Sequence, residues 1–290
     1  MRIYICNLFL FLYVSILEDN RKAMIIRRLK SGILFGTVLL TVQCASVPIT
    51  GRKQLILMPE SEMVQMSLTS YDDFLKENKL STNVANTRRV KEVGSRIAAA
   101  VEAYMKSRGL EAQIEGYRWE FNLVQSPEIN AWCMPGGKVV VYEGILPVCQ
   151  DNNGLAVVMG HEIAHAIARH GNERMSQQMV LQAGSAVAAY ALKDKPGTTQ
   201  ALLGAAIGLG SNYGVVLPFS RKHELEADRL GLIFMTMAGY DPQQAIPFWT
   251  RMAAVGSGQK PPEFMSTHPS DAHRIAQIKA LLPEVMKYKK

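Results

Sequence analysis

Residues 161–165 read His-Glu-Ile-Ala-His, and this stretch restricts the chain more than any other. Two imidazoles stand at i and i+4. On a helix of 3.6 residues per turn they differ by roughly 40° around the axis and about 6 Å along it. Only there do they share a face closely enough to hold one metal ion. Glu162, directly after the first imidazole, can then reach a water bound to that ion.

The flanks suit a helix. Asp151, Asn152 and Asn153 offer N-caps. Leu155, Val158, Met159, Ile163, Ala166 and Ile167 recur at helical spacing. Arg169 and His170 match the negative end of the dipole, and Gly171 is the expected stop. H-E-x-x-H on a helix is the zinc pattern of many metalloproteases, although chance also produces it in long chains.

A catalytic zinc site uses three protein ligands and a water. A histidine six residues after His165 is excluded, because Gly171 stands there. His170 is nearly opposite His161 on the wheel, which leaves it, like His273, a structural or surface reading. The best further candidate lies in Ser220–Asp228, where Glu224 and Asp228 share a helix face. Glu224 is assigned as third ligand. Asp228, one turn on, can accept the free ring N–H of a ligating histidine. Glu226 points well away, towards solvent or a surface cation, and His223 is about 100° from Glu224. Taken alone, the same spacing describes an ordinary charged helix face.

With His161-Glu-Ile-Ala-His165 and Glu224-Leu-Glu-Ala-Asp228, the chain resembles metallopeptidase family forty-eight, which includes the CAAX prenyl proteases, HtpX and Oma-like proteases, and periplasmic lipoprotein-type relatives. Asn130–Tyr142, Leu217-Pro-Phe-Ser-Arg221, Ala238-Gly-Tyr-Asp-Pro242 and Thr267-His-Pro-Ser270 extend the resemblance over residues 46–285. It implies a gluzincin-type zinc endopeptidase with one zinc ion per chain, held by His161, His165 and Glu224. Glu162 would be the general base for a metal-activated water. His268 is the candidate oxyanion donor, or else a fourth ligand that displaces water at rest. A plain surface histidine is the third reading. Protein or peptide substrates, misfolded or from the cell envelope, follow from the same resemblance. The rivals are an integral membrane protease of that family and a latent, chaperone-like zinc module.

Trp119, Phe121 and Leu123 alternate with polar residues, as in a half-buried strand. Ile129–Met134 and Lys138–Tyr142 flank Pro135-Gly136-Gly137, a hairpin signal. Its edge could pair with an extended peptide. Cys133 and Cys149 could bridge or stay as buried thiols.

The formal charge of +7 is partly a property of the N-terminus. Residues 1–44 hold six cations and two anions, so the rest carries +3. No basic tract interleaved with aromatics supports nucleic-acid binding. Arg27, Arg28 and Lys30 precede an apolar run, Ile33–Val42, and then Cys44. This resembles a bacterial lipoprotein signal with Cys44 as lipid anchor, although Gln43 departs from the small residue usual there. Residues 1–43 are therefore expected to be a leader, with Met24 a more ordinary start, and 44–290 a single domain. The expected location is the bacterial envelope, lipid-anchored at the outer membrane and facing the periplasm. One uncleaved anchor is the competing reading.

Ser61–Lys79, Asn86–Arg108 and 271–288 show helical patterns, and Asp241-Pro242 starts another helix. Val180–Leu192 and Ala201–Gly210 are each too short to span a bilayer. They read as a helical hairpin packed over the metal-binding helix. The fold class expected is α+β, mainly α, with a small β-hairpin or sheet and a C-terminal helical part.

Overall fold

The computed structural model describes residues 43–194, 217–256, 262–268 and 272–289, with a few positions between 197 and 205. These belong to one unit, Val42–Lys290. The leader expected over 1–43 lies outside them except for its last residue, as do the side chain of Cys44 and most of Ala201–Gly210.

Three strands form the main sheet: β3 (Glu120–Val124), β4 (Ala131–Met134) and β5 (Lys138–Tyr142). β5 is central, parallel to β3 and antiparallel to β4, so β4 is an edge. The Pro135-Gly136-Gly137 turn joins β4 to β5, with both glycines at positive φ. A separate hairpin pairs β1 (Gln43–Ser46) with β2 (Lys53–Ile56).

The sheet is covered on both faces. Helix α1 (Glu60–Glu77) sets Tyr71 and Phe74 against Val140, Tyr142 and Trp132. On the other face Phe121, Leu123, Val139 and Val141 join a core shared with α2 (Val84–Ser107) and α4 (Asn152–Ile167). The half-buried strand expected around Phe121 is corrected accordingly. Asn122, on the supposed wet face, is buried, and its Nδ2 donates to Tyr71 Oη at 2.7 Å. The covering layer is α1.

The short helix α3 (Leu146–Cys149) leads into α4. Of the three possible caps, Asp151 is used: its Oδ1 accepts from Gly154 N at 2.9 Å. Residues around α4 are apolar on nearly every side, and the helix is buried from Gly154 to Ile167 apart from His165, which is partly exposed. Its stop differs from expectation. Arg169, not Gly171, turns the chain, at φ 55° and ψ 34°, and α5 (His170–Leu192) begins at once. Gly171 lies within the first turn of α5.

The second half of α5 is not packed over α4, contrary to expectation. Val187 and Tyr190 are 70% and 71% exposed. Among the described residues no helix is long and apolar enough to cross a membrane. Cys133 and Cys149 are free thiols. The remaining helices are α6 (Leu217–Met237), α7 (Ala245–Gly256), α8 (Glu263–Thr267) and α9 (Ala272–Val285). Asp241 caps the turn before α7 through Gln243 N at 3.0 Å. The result is mainly helical with small sheets.

Helices α4 and α6 cross at two glycines. A Cβ on Gly160 would lie 2.8 Å from the carbonyl oxygen of Gly231, and one on Gly231 would lie 2.7 Å from the amide nitrogen of His161. No side chain can be accommodated without separating the helices. Gly231→Ala is expected to destabilise by about 1–3 kcal/mol through overpacking. Gly184→Ala, in α5 with nothing within 4 Å of the added carbon, should stabilise slightly, by up to about 1 kcal/mol. Urea unfolding of both variants tests this, and equal effects would refute the close-approach argument.

Candidate metal centre

Helix α4 presents His161 and His165 inward, one turn apart, and α6 presents Glu224 towards them across the glycine contact. His161 Nε2 and His165 Nε2 are 3.1 Å apart and each lies 3.3 Å from a Glu224 oxygen. His268, just after α8, adds Nδ1 at 3.1 Å from His161 Nε2 and 2.8 Å from Glu224 Oε2. One ligand atom from each of these four residues lies within 4.8 Å of the other three. Four Lewis-base atoms facing one another in a buried space form a donor set that fits a metal cation.

The electrostatics agree. Burial disfavours charge on Glu224, but hydrogen bonds from His161, His165 and His268 hold its carboxyl well below the usual range. Burial also acts to lower His161, yet Asp228 and Glu224 push it up to about 9. These two carboxylates thus draw positive charge into the space. His165 is held well below its ordinary value, chiefly by burial, and so offers a neutral ring.

Asp228 approaches His161 from behind, with Oδ1 2.9 Å from Nδ1. An ionised carboxylate only accepts, so Nδ1 carries a proton, and Nε2 is the nitrogen left to give up its own proton to a cation at the shared centre. Asp228 is held below its ordinary value despite burial, by the Arg274 charge and the His161 hydrogen bond.

Glu162 is buried beside the cluster. Its Oε1 is 3.5 Å from His268 Nε2 and has no hydrogen-bond partner. Burial raises its pKa, against the opposing charges of His268 and His161. Glu162 and His165 line a cleft of about 290 Å³, together with Trp132 and Cys133 from edge strand β4 and with Arg169 and His268.

A profile of peptidase family M48 matches residues 85–282. The chain belongs to peptidase family M48. Among its relatives, the mitochondrial metalloendopeptidase OMA1 of Schizosaccharomyces pombe is 43% identical over 168 residues, covering 58% of this chain and 48% of the relative. The human metalloendopeptidase OMA1, mitochondrial, is 34% identical over 248 residues, covering 83% and 46%. The β-barrel assembly-enhancing protease of Escherichia coli is 31% identical over 171 residues, covering 56% and 34%. The chain thus spans about half the length of the OMA1 relatives it matches.

Several residues of this M48 domain were not reached from sequence. Arg274, on α9, is buried and forks onto Asp228, with Nε to Oδ2 at 2.8 Å and a terminal nitrogen to Oδ1 at 2.7 Å. Its other terminal nitrogen lies 3.6 Å from Glu224 Oε2, and its guanidinium sits 3.5 Å over the Trp249 ring. No local pattern marks it, because its carboxylate partners are more than forty residues away.

One reading is corrected and another is narrowed. Glu226 does meet a cation, Arg52, at 2.7 Å, but both carboxylate oxygens are engaged inside the protein. For His170, read from sequence as structural or surface, the structural alternative holds. It is buried, with Nδ1 2.9 Å from His165 Nδ1. The bend at Arg169 starts a new helix axis, so a wheel extended from α4 cannot place it. His223 is outside the four-residue cluster and bonds Glu173 at 2.9 Å. His273 is exposed.

Arg274→Met would leave the Asp228 carboxylate buried without its guanidinium. A loss of about 3–5 kcal/mol is expected, read by urea unfolding; a loss under about 1 kcal/mol would show that Asp228 does not depend on this pair. Glu173 is held at about 2, against burial, by His223 and Arg52. Its unfolded value is about 4.3, so its contribution is full above that pH and is lost as pH falls towards 2. Glu173→Gln should flatten the acid limb of stability between these values, measured by thermal melts across pH.

Proposed function

We propose that this chain is a zinc-dependent endopeptidase, with His161, His165 and Glu224 as metal ligands and Glu162 as general base. The convergence of those three side chains beside a buried, unpartnered Glu162 oxygen carries the reading. Zinc, when bound, supplies a Lewis acid for the scissile carbonyl and acidifies a coordinated water. Glu162 holds the proton that the attacking water gives up and returns it to the leaving amine. Its raised pKa suits both halves of that exchange. Asp228, fixed by Arg274, holds His161 in the metal-binding tautomer.

Edge strand β4 offers backbone donors and acceptors to an extended peptide laid along the cleft. Such pairing selects for unfolded or strand-like segments rather than for particular side chains. Misfolded or envelope proteins are the proposed substrates. The E. coli relative's name, β-barrel assembly-enhancing protease, supports envelope work, while the OMA1 relatives are named as mitochondrial. In this proposal residues 1–43 are the leader and 44–290 the peptidase domain, anchored by a lipid on Cys44 and facing the periplasm.

For His268, the geometry favours the resting-ligand reading over a solely transition-state role. Its Nδ1 stands among the ligand atoms, and its ring lies 4.7 Å from that of Phe264 on α8. Substrate would have to displace it.

Glu162→Gln is expected to retain zinc and fold yet lose casein cleavage by at least about 100-fold, the contribution of a general base. A chelator should abolish cleavage by the wild type. Undiminished activity in Glu162→Gln would sink the assignment. His268→Ala is expected to raise cleavage several-fold; a large fall in kcat would instead assign the ring to transition-state stabilisation.

A further inference from the structure

Behind the metal ligands lies a second buried cluster that the proposed reaction does not use. It contains His170, Glu173, His223 and Glu226, with Arg52 reaching in from the turn of the β1–β2 hairpin. The cluster meets the metal centre where His165 Nδ1 and His170 Nδ1 lie 2.9 Å apart.

Two nitrogens at that distance share one proton. With His165 Nε2 turned to the metal, its Nδ1 carries the hydrogen, and His170 Nδ1 must be a bare acceptor. The other end of His170 fits this arrangement. Its Nε2 is 3.1 Å from Glu226 Oε2, and a carboxylate accepts only, so Nε2 is the protonated nitrogen. His170 is thereby fixed in one tautomer by a group on α6. Glu226 is held in turn by Arg52 Nε at 2.7 Å and by the Thr50 hydroxyl. The remaining guanidinium nitrogens of Arg52 grip Glu173 at 2.9 and 2.7 Å. The His223 ring stacks on His170 at 4.2 Å, nearly parallel, which fixes the ring plane.

We infer that His170 is a positioning residue for the metal centre: it orients the ring of His165 through Nδ1, and the Glu226–Arg52 pair carries that support to the β1–β2 hairpin. The inference rests on His165 being a metal ligand. It makes the two imidazole ligands asymmetric. His161 is backed by a carboxylate, Asp228, whereas His165 is backed by a neutral ring whose own carboxylate stands one step further out. Loss of an outer partner of a ligating histidine typically weakens metal affinity about 10–100-fold.

The test uses the full chain, stripped of metal and titrated with zinc against a chromophoric chelator. His170→Phe removes the acceptor and should weaken zinc binding about 10–100-fold. His170→Asn, whose amide oxygen can replace Nδ1 as acceptor, should recover most of that loss. Cobalt substitution gives a second readout: the visible d–d bands should change in the Phe variant and return towards wild type in the Asn variant. A role in packing alone would not produce this recovery. Should the Phe side chain prevent folding, His170→Ala takes its place in the same comparison. Equal zinc affinity in wild type and His170→Phe would overturn the inference, as would equal loss in the Phe and Asn variants. Failure of the underlying site has a different signature, a wild-type protein that takes up no zinc at all.

Discussion

Two carboxylates, Glu224 and Asp228, enter the interior one helical turn apart on α6, and the protein must answer their charge. An unpaired buried carboxylate is disfavoured by several kcal/mol. Arg274 answers Asp228 with two hydrogen bonds and lies on Trp249, which shields it from water. Among the described residues, Glu224 has no comparable guanidinium at hydrogen-bond distance; that of Arg274 stops at 3.6 Å. It faces ring nitrogens, which is the environment a divalent cation completes. The difference between the two acids follows from who stands next to them, since the residues themselves sit on the same helix face. Helix α9 is thus part of the centre, although it provides no metal ligand.

The second cluster repeats this balance at a short distance. Glu173 and Glu226 are both buried, and a single Arg52 serves them both. The hairpin that supplies Arg52 is small and has little core of its own. Its tie to the body is polar as much as apolar, with Leu57 N also donating to Ser176 Oγ at 2.9 Å.

Sequence periodicity reached the elements whose signals are local. The HExxH helix, its Asp151 cap, the β4–β5 hairpin and the amphipathic α1 and α2 all follow from spacing and turn chemistry. So does the pairing of Glu224 with Asp228 on one face. What sequence could not reach depends on contacts between distant segments. Arg274 looks like any lysine or arginine of an amphipathic helix until α9 is set against α6. His170, left as structural or surface, could not be placed more closely because Arg169 takes a left-handed conformation, unusual for a non-glycine residue, and resets the helical wheel. Asn122 suggested an exposed strand face because the cover comes from α1, about fifty residues earlier. In α5 the apolar composition of Val180–Leu192 suggested packing, yet Val180, Val187 and Tyr190 are exposed.

The glycine contact between α4 and α6 has a mechanical side. It is the point about which the two helices would pivot. His161 adjoins that pivot, directly after Gly160, so tilting one helix against the other hardly displaces it. Glu224 lies seven residues from Gly231, about 10 Å along the axis, at the end of a lever arm. The same small rotation that leaves the histidine in place would swing the carboxylate through a measurable arc. His161 therefore sits at the tightest contact of the helix pair, and Glu224 is the member of the cluster that α6 holds farthest from it.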